Sequence, residues 1–154
     1  MQKSLVLLSA GLDSTLSLLK AKEESTVKIA LTFDYGQRAR QKETGQAAKI
    51  ASHLGIAHQV IKLSFFQGFT YNALTNKDLK LPEIKAEDLD NLDVTQETAK
   101  AVWVPNRNGI FLNIAAGIAE TNGYSFMYVG FNAEEAATFP DNSKIVKFTR
   151  NIWP

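Results

Sequence analysis

Ser9, Gly11, Asp13, Ser14 and Thr15 crowd three hydroxyls, a carboxylate and one residue free to take positive φ into a single short stretch. The chemistry this suits is anion binding. The first amides of a helix have no intrahelical partner and carry the positive end of the dipole, so a small-residue loop feeding a helix is a ready site for phosphate. The hydroxyls can donate to phosphate oxygens, and Gly11 lets the backbone approach closely. Asp13 would repel a bare phosphate unless a divalent cation stood between them, so magnesium is expected with the phosphate. The plainer alternative is that Asp13 or Ser14 caps the helix and the loop binds nothing.

A second group of residues has matching chemistry. Asn106, Arg107 and Asn108 precede an apolar helical run, which sets a cation and amides at a helix N-terminus where anions are already attracted. Capping by Asn106 or Asn108, with Arg107 on the surface, is the alternative. The stretch Asp34 to Arg40 brings charge together with Tyr35, Gln37 and Arg38, and Asn132, Glu134, Glu135 and Asp141 follow a later strand. The alternative for both stretches is ordinary loop polarity. His53 and His58, the only histidines, have no acid-and-histidine partners at metal spacing and are read as structural.

The elements that must hold these groups alternate regularly. Leu5 to Leu8 form a continuous apolar run suited to a strand buried on both faces of a parallel sheet, and Leu16, Leu18 and Leu19 resume at helical spacing. That helix should end near Lys22, before a strand over 27–33 rich in β-branched residues. The pattern over 41–54 predicts a helix with Ala47, Ala48, Ile50, Ala51 and Leu54 on one side and Gly55 as its stop. A third strand is expected over 58–63. Residues 64–102 lose periodicity, and 82–93 reads as a lid over the crevice. The run over 109–120 is apolar nearly all round, which predicts a buried central helix stopped at Asn122-Gly123, followed by a fourth strand over 124–130. The closing stretch 142–153 places Ile145, Phe148 and Ile152 on one helical face. This order implies right-handed crossovers and an α/β fold, a doubly wound parallel sheet with helices on both faces. Loops at the carboxyl ends of its strands would then share one crevice.

Composition narrows the function classes. A chain of 154 residues with 45% hydrophobic and 21% charged residues fits a single globular nucleotide-binding domain, 1–154. A net charge of +1 gives no reason to expect nucleic acid as the main partner. No stretch is long enough to span a membrane, the N-terminus lacks a signal peptide, and a cytoplasmic location is expected. The absence of cysteine rules out disulfides and thiolate-ligated zinc within this chain.

Ser9-Ala-Gly-Leu-Asp-Ser14 after a hydrophobic strand resembles the SGGxDS pyrophosphate loop of the adenine nucleotide α-hydrolase-like ATP pyrophosphatases, a Rossmann-like group. Ala10 departs from the usual glycine and adds a methyl group that restricts backbone approach. The loop is not a Walker motif, since no Gly-Lys-Ser/Thr follows. With Phe33-Asp-Tyr-Gly-Gln-Arg38, Val104-Pro-Asn-Arg-Asn108 and the stretch Gly130 to Asp141 in this order, the whole chain is similar to the 7-cyano-7-deazaguanine synthases of queuosine and archaeosine biosynthesis. Members of that family are longer and carry a four-cysteine zinc cluster, so a truncated or naturally short relative is expected.

The resemblance implies ATP-dependent conversion of 7-carboxy-7-deazaguanine and ammonia to the nitrile through adenylated intermediates. It assigns Ser9, Ala10, Gly11, Leu12, Asp13, Ser14, Thr15 and Tyr35 to the nucleotide. Asp13 would also engage magnesium, and Asp13 and Arg107 would be the catalytic pair. Gln37, Arg38, Asn106, Arg107, Asn108, Asn132 and Asp141 would take the substrate. Zinc belongs to the family, but its cysteine ligands do not occur here. Two other readings stay open at this point: another ATP pyrophosphatase, amide-forming or tRNA-modifying, and a non-catalytic nucleotide-binding domain. The apolar face of the last segment and Trp153 suggest a homodimer.

Overall fold

Among the described residues, four parallel strands lie in the order β3-β2-β1-β4. The computed structural model describes residues 1–66 and 104–131. The expected lid over 82–93, the closing helix over 142–153 and the site residues Asn132 and Asp141 lie outside them. The elements are β1 (Lys3–Leu7), α1 (Leu12–Glu24), β2 (Thr26–Asp34), α2 (Arg40–His53), β3 (Ala57–Lys62), α3 (Arg107–Asn122) and β4 (Phe126–Tyr128).

The continuous apolar run of β1 is explained by its place in the middle of the sheet, with β2 on one side and β4 on the other. A strand with neighbours on both edges and helices on both faces must bury successive side chains in opposite directions. Val6, Leu8 and Ala30 point into a core with Leu18 and Ala21 of α1 and Ala47 and Ala51 of α2. Leu5, Leu7, Leu31 and Phe33 point the other way, onto Phe111, Ala115 and Ala119 of α3. The sheet is therefore doubly wound, as its alternating pattern implies. Among the described residues no helix is long and apolar enough to cross a membrane.

Several elements differ from expectation in extent. Strand β4 pairs with β1 over only three residues, Phe126 to Tyr128, rather than over 124–130. Helix α3 is not evenly buried: Phe111, Ala115 and Ala119 form one buried stripe at i, i+4 spacing, and Asn113 and Gly117 are exposed. Its tightest contact is the Phe111 ring stacked on Phe33, with centroids 4.2 Å apart and planes within 6°. Such a pair adds about 0.5–1.5 kcal/mol beyond the burial of its surface. Helix α1 buries Leu18 and Ala21, whereas Leu12, Leu16 and Leu19 are exposed. Gly55 and Gly123 take φ of +67° and +65° to end α2 and α3, where other residues would be strained.

The winding has a reversal that matters for function. From β1 the chain steps outward to β2 and β3, and it then returns across the sheet to place β4 on the free side of β1. The crevice at such a switch point opens beyond the carboxyl ends of the strands. Between β1 and β4 those ends are the Ser9 loop and Gly130.

Candidate functional site

The turn after β1 is built from its own hydroxyls. Ser9 Oγ accepts the Gly11 amide at 3.3 Å and lies 3.1 Å from Ser14 Oγ. The Ser14 hydroxyl donates to the Gly11 carbonyl at 3.0 Å and accepts the Ser9 amide at 3.2 Å, and Thr15 Oγ1 donates to the same Gly11 carbonyl at 2.8 Å. Gly11 is the N-cap residue, in extended conformation, and no side chain caps the helix. The capping alternative for Asp13 and Ser14 is therefore not what the fold adopts. Ser14 is buried inside the first turn and Asp13 projects from it. The open amide end is the feature that fits a phosphate group.

Ala10 has φ of +65°. This left-handed conformation costs a residue with a Cβ about 1–2 kcal/mol, and glycine reaches it freely. Its methyl group packs against the core that holds Val6 and Leu8. The expected hindrance is thus corrected: the alanine strains its own backbone, and its methyl is turned into the core.

The opposite wall comes from the turn after β2 and the start of α3. Tyr35 is buried, its ring edge-on to Phe66 at 5.9 Å and tilted against Phe111 at 5.5 Å. Arg107 Nη1 donates to the Tyr35 hydroxyl at 3.2 Å, its Nε donates to Asn108 Oδ1 at 3.1 Å, and its guanidinium carbon lies 5.7 Å from the Tyr35 ring centre. Burial pushes the Tyr35 phenol up from its ordinary pKa, and the Arg107 charge opposes that shift. The phenol therefore stays protonated at neutral pH, as an acceptor for Arg107.

Gln37 is buried, with both amide hydrogens engaged: they go to the Phe33 carbonyl at 3.1 Å and Glu43 Oε2 at 2.8 Å, while Oε1 accepts the Tyr35 amide at 3.0 Å. An amide so occupied holds the turn in place and leaves little for a ligand, which differs from the substrate contact expected of it. Thr32 Oγ1 donates to the Leu8 carbonyl at 2.6 Å and lies 2.8 Å from His58 Nε2. Burial lowers the His58 pKa, in keeping with a structural imidazole.

These walls enclose a cleft of about 260 Å³. Of the residues expected at the site, Ser9, Ser14, Tyr35, Gln37, Arg107 and Asn108 line it. Gly11 and Thr15 stand at the rim of the same turn through their bonds with Ser9 and Ser14. Ala10, Leu12, Asp13, Arg38 and Asn106 are not among the lining residues. Leu12, Asp13 and Arg38 are exposed, and Asn106 takes φ of +52° as the N-cap of α3. Sequence reasoning missed Thr32, Glu43 and Gly130, which also face the cleft. The available signal for Glu43 was its place in the first turn of α2, just beyond the charged loop.

Among the described residues no three His, Cys, Asp or Glu side chains gather as a metal cage. Magnesium suits this donor set only in its usual manner with nucleotides, in which phosphate oxygens and water supply most ligands and one carboxylate such as Asp13 assists. A zinc cluster does not fit, since the chain has no cysteine.

The family described as queuosine biosynthesis protein QueC matches residues 3–151. The chain is 52% identical to a 7-cyano-7-deazaguanine synthase from Bdellovibrio bacteriovorus, over 99% of this chain and 67% of that protein. It is 48% identical to the enzyme of the same name from Methanosarcina mazei, over 92% of this chain and 63% of the relative. The chain thus spans about two thirds of the length of the curated relatives it matches. Among solved structures, a 4-thiouridine synthetase in complex with RNA and ATP superposes with a TM-score of 0.51, at 17% identity and over 92% of this chain and 32% of that one. The last likeness bears on the fold alone.

Proposed function

This chain belongs to the QueC family of queuosine biosynthesis proteins, and from that premise we propose that it carries the ATP-binding and substrate-binding core of a 7-cyano-7-deazaguanine synthase. The reaction is the conversion of 7-carboxy-7-deazaguanine and ammonia to the nitrile. The observation that carries this reading is the uncapped amide end of α1 facing the Tyr35–Arg107 pair across one cleft. It pairs a phosphate seat with a cation held in a fixed orientation.

A carboxylate is a poor electrophile because its leaving group would be oxide. Transfer of AMP from ATP to the substrate carboxylate releases pyrophosphate and turns that oxygen into part of a good leaving group. Ammonia then displaces AMP to give the amide. A second adenylation, on the amide oxygen, lets AMP leave again with loss of the remaining N–H protons, which forms the carbon–nitrogen triple bond. In this scheme the amides of Leu12 and Asp13 and the hydroxyl of Ser9 hold phosphate oxygens, and Ser14 and Thr15, whose hydroxyls donate to the Gly11 carbonyl, brace the turn. Arg107, fixed by Tyr35 and Asn108, offsets charge on the reacting carboxylate and phosphate. Asn108, Asn106 and Arg38, with Asn132 and Asp141, are the candidate substrate contacts. Asp13 would help hold magnesium, which when bound with the nucleotide would supply charge neutralisation.

Low net charge supports a free base rather than tRNA as the substrate. A cytoplasmic homodimer is the assembly we favour. The deciding experiment incubates the chain with 7-carboxy-7-deazaguanine, ammonium, ATP and magnesium, and follows nitrile and AMP by mass spectrometry. Nitrile formed with AMP supports the synthase reading. ATP binding without product supports a nucleotide-binding module or a core that needs the remaining third of its relatives' length.

A further inference from the structure

The cleft holds an acidic side chain that the scheme above leaves without a task. Glu43 is the one carboxylate among its described lining residues, and Arg107 is the one cation. Glu43 is half-buried in the first turn of α2 and accepts the Gln37 amide at 2.8 Å through Oε2. No described residue forms a salt bridge with it at 4.0 Å or less. Gln37 is itself locked by its bonds to Phe33 and Tyr35, so the carboxylate is held from behind by a rigid donor. Glu43 and Arg107 line the same cleft, and both act electrostatically on the buried Tyr35 hydroxyl, in opposite senses because their charges are opposite.

A half-buried carboxylate that has, among the described residues, one neutral donor and no cation can accept further N–H groups from a ligand. Resting on the synthase reading, we propose that Glu43 reads the N1–H and 2-amino edge of the deazaguanine while Arg107 engages its carboxylate end. A guanine-type base presents two parallel donors on that edge, which match the two oxygens of a carboxylate. A purine without the 2-amino group offers only one. A ligand with an anionic group at one end and a donor pair at the other is complementary to this pair of charges. Gln37 then serves as a positioning residue that aims the carboxylate.

The test measures binding of 7-carboxy-7-deazaguanine and of the analogue lacking the 2-amino group, with the unsubstituted chain and with Glu43→Gln. The unsubstituted chain should bind the analogue about tenfold to a hundredfold more weakly, the discrimination typical of one bidentate base contact. Glu43→Gln, which keeps an acceptor for Gln37, should weaken binding of the natural substrate and bring the two ligands towards parity, with ATP affinity near that of the unsubstituted chain. Equal affinities in the unsubstituted chain, unchanged discrimination in the variant, or a parallel loss of ATP affinity would each overturn the assignment of Glu43. If the unsubstituted chain binds ATP but not 7-carboxy-7-deazaguanine, the synthase reading itself fails and this proposal falls with it.

Discussion

Gly130, just past β4, presses against the first turn of α1 so closely that a Cβ on it would come within 2.5 Å of Ser14 Cα and 2.6 Å of the Asp13 carbonyl carbon. The obstruction is backbone, which cannot swing aside as a side chain can. The Ser17 hydroxyl adds a bond to the Val129 carbonyl at 2.9 Å, so β4 and α1 are fastened at two neighbouring points.

Gly130→Ala should therefore push the β4 end away from α1. We expect a loss of about 1–3 kcal/mol in stability, the usual cost of overpacking, and weaker ATP binding, because the displaced turn carries Ser14. Denaturant unfolding and nucleotide titration check both effects. Wild-type stability and affinity would show that the close approach is not required.

Ala10→Gly relieves a left-handed φ. The gain of about 1–2 kcal/mol from the folded backbone is offset by a more flexible unfolded chain, at about 0.4–1 kcal/mol, and by loss of a partly buried methyl. The expected net effect lies between no change and a gain of about 1 kcal/mol, with ATP affinity retained. Destabilisation by more than that amount in urea unfolding would mean that the core contact of the methyl outweighs the strain.

Much of this arrangement is legible in the order and type of the residues. Four successive apolar residues, Leu5 to Leu8, mark a strand buried on both faces, and serine, glycine and aspartate after it mark the turn into α1. Arg107 beside an apolar helix start pointed to the second wall. Other features are invisible to a linear reading because they depend on partners remote in sequence. A glutamine that saturates its amide on Phe33, Tyr35 and Glu43 has the same letter as one that meets a ligand. The need for glycine at position 130 arises from the backbone of Ser14, on a different element. Even the shape of α3 burial depends on the sheet: its apolar composition suggested burial all round, whereas the Phe33 stack selects one stripe.

Tyr35→Phe keeps the ring contacts with Phe66 and Phe111 and removes only the acceptor for Arg107. Catalytic turnover should fall, with ATP affinity nearly unchanged. A pH scan adds an independent readout. The folded phenol has its pKa raised by burial, so its contribution to stability is fully present below the unfolded value near 10 and is lost as pH rises through the higher folded value. Between about pH 9 and 11 the unsubstituted chain should lose more stability than Tyr35→Phe. Identical alkaline profiles would place the phenol outside the buried network.

The strand order also governs how the chain can be born. Strand β1 is made long before β4, so one of its edges stays open until Phe126 to Tyr128 arrive to pair with Ser4 to Val6. Until then the most deeply buried strand of the sheet presents unpaired amides and carbonyls along that side, a template that any other extended chain could join. Parallel pairing across so long a sequence separation is slow, because the loop must close before the pairing is rewarded. The nascent protein is thus exposed to edge-to-edge aggregation until β4 is made, and it shuts that edge in the same step that brings Gly130 against the first turn of α1.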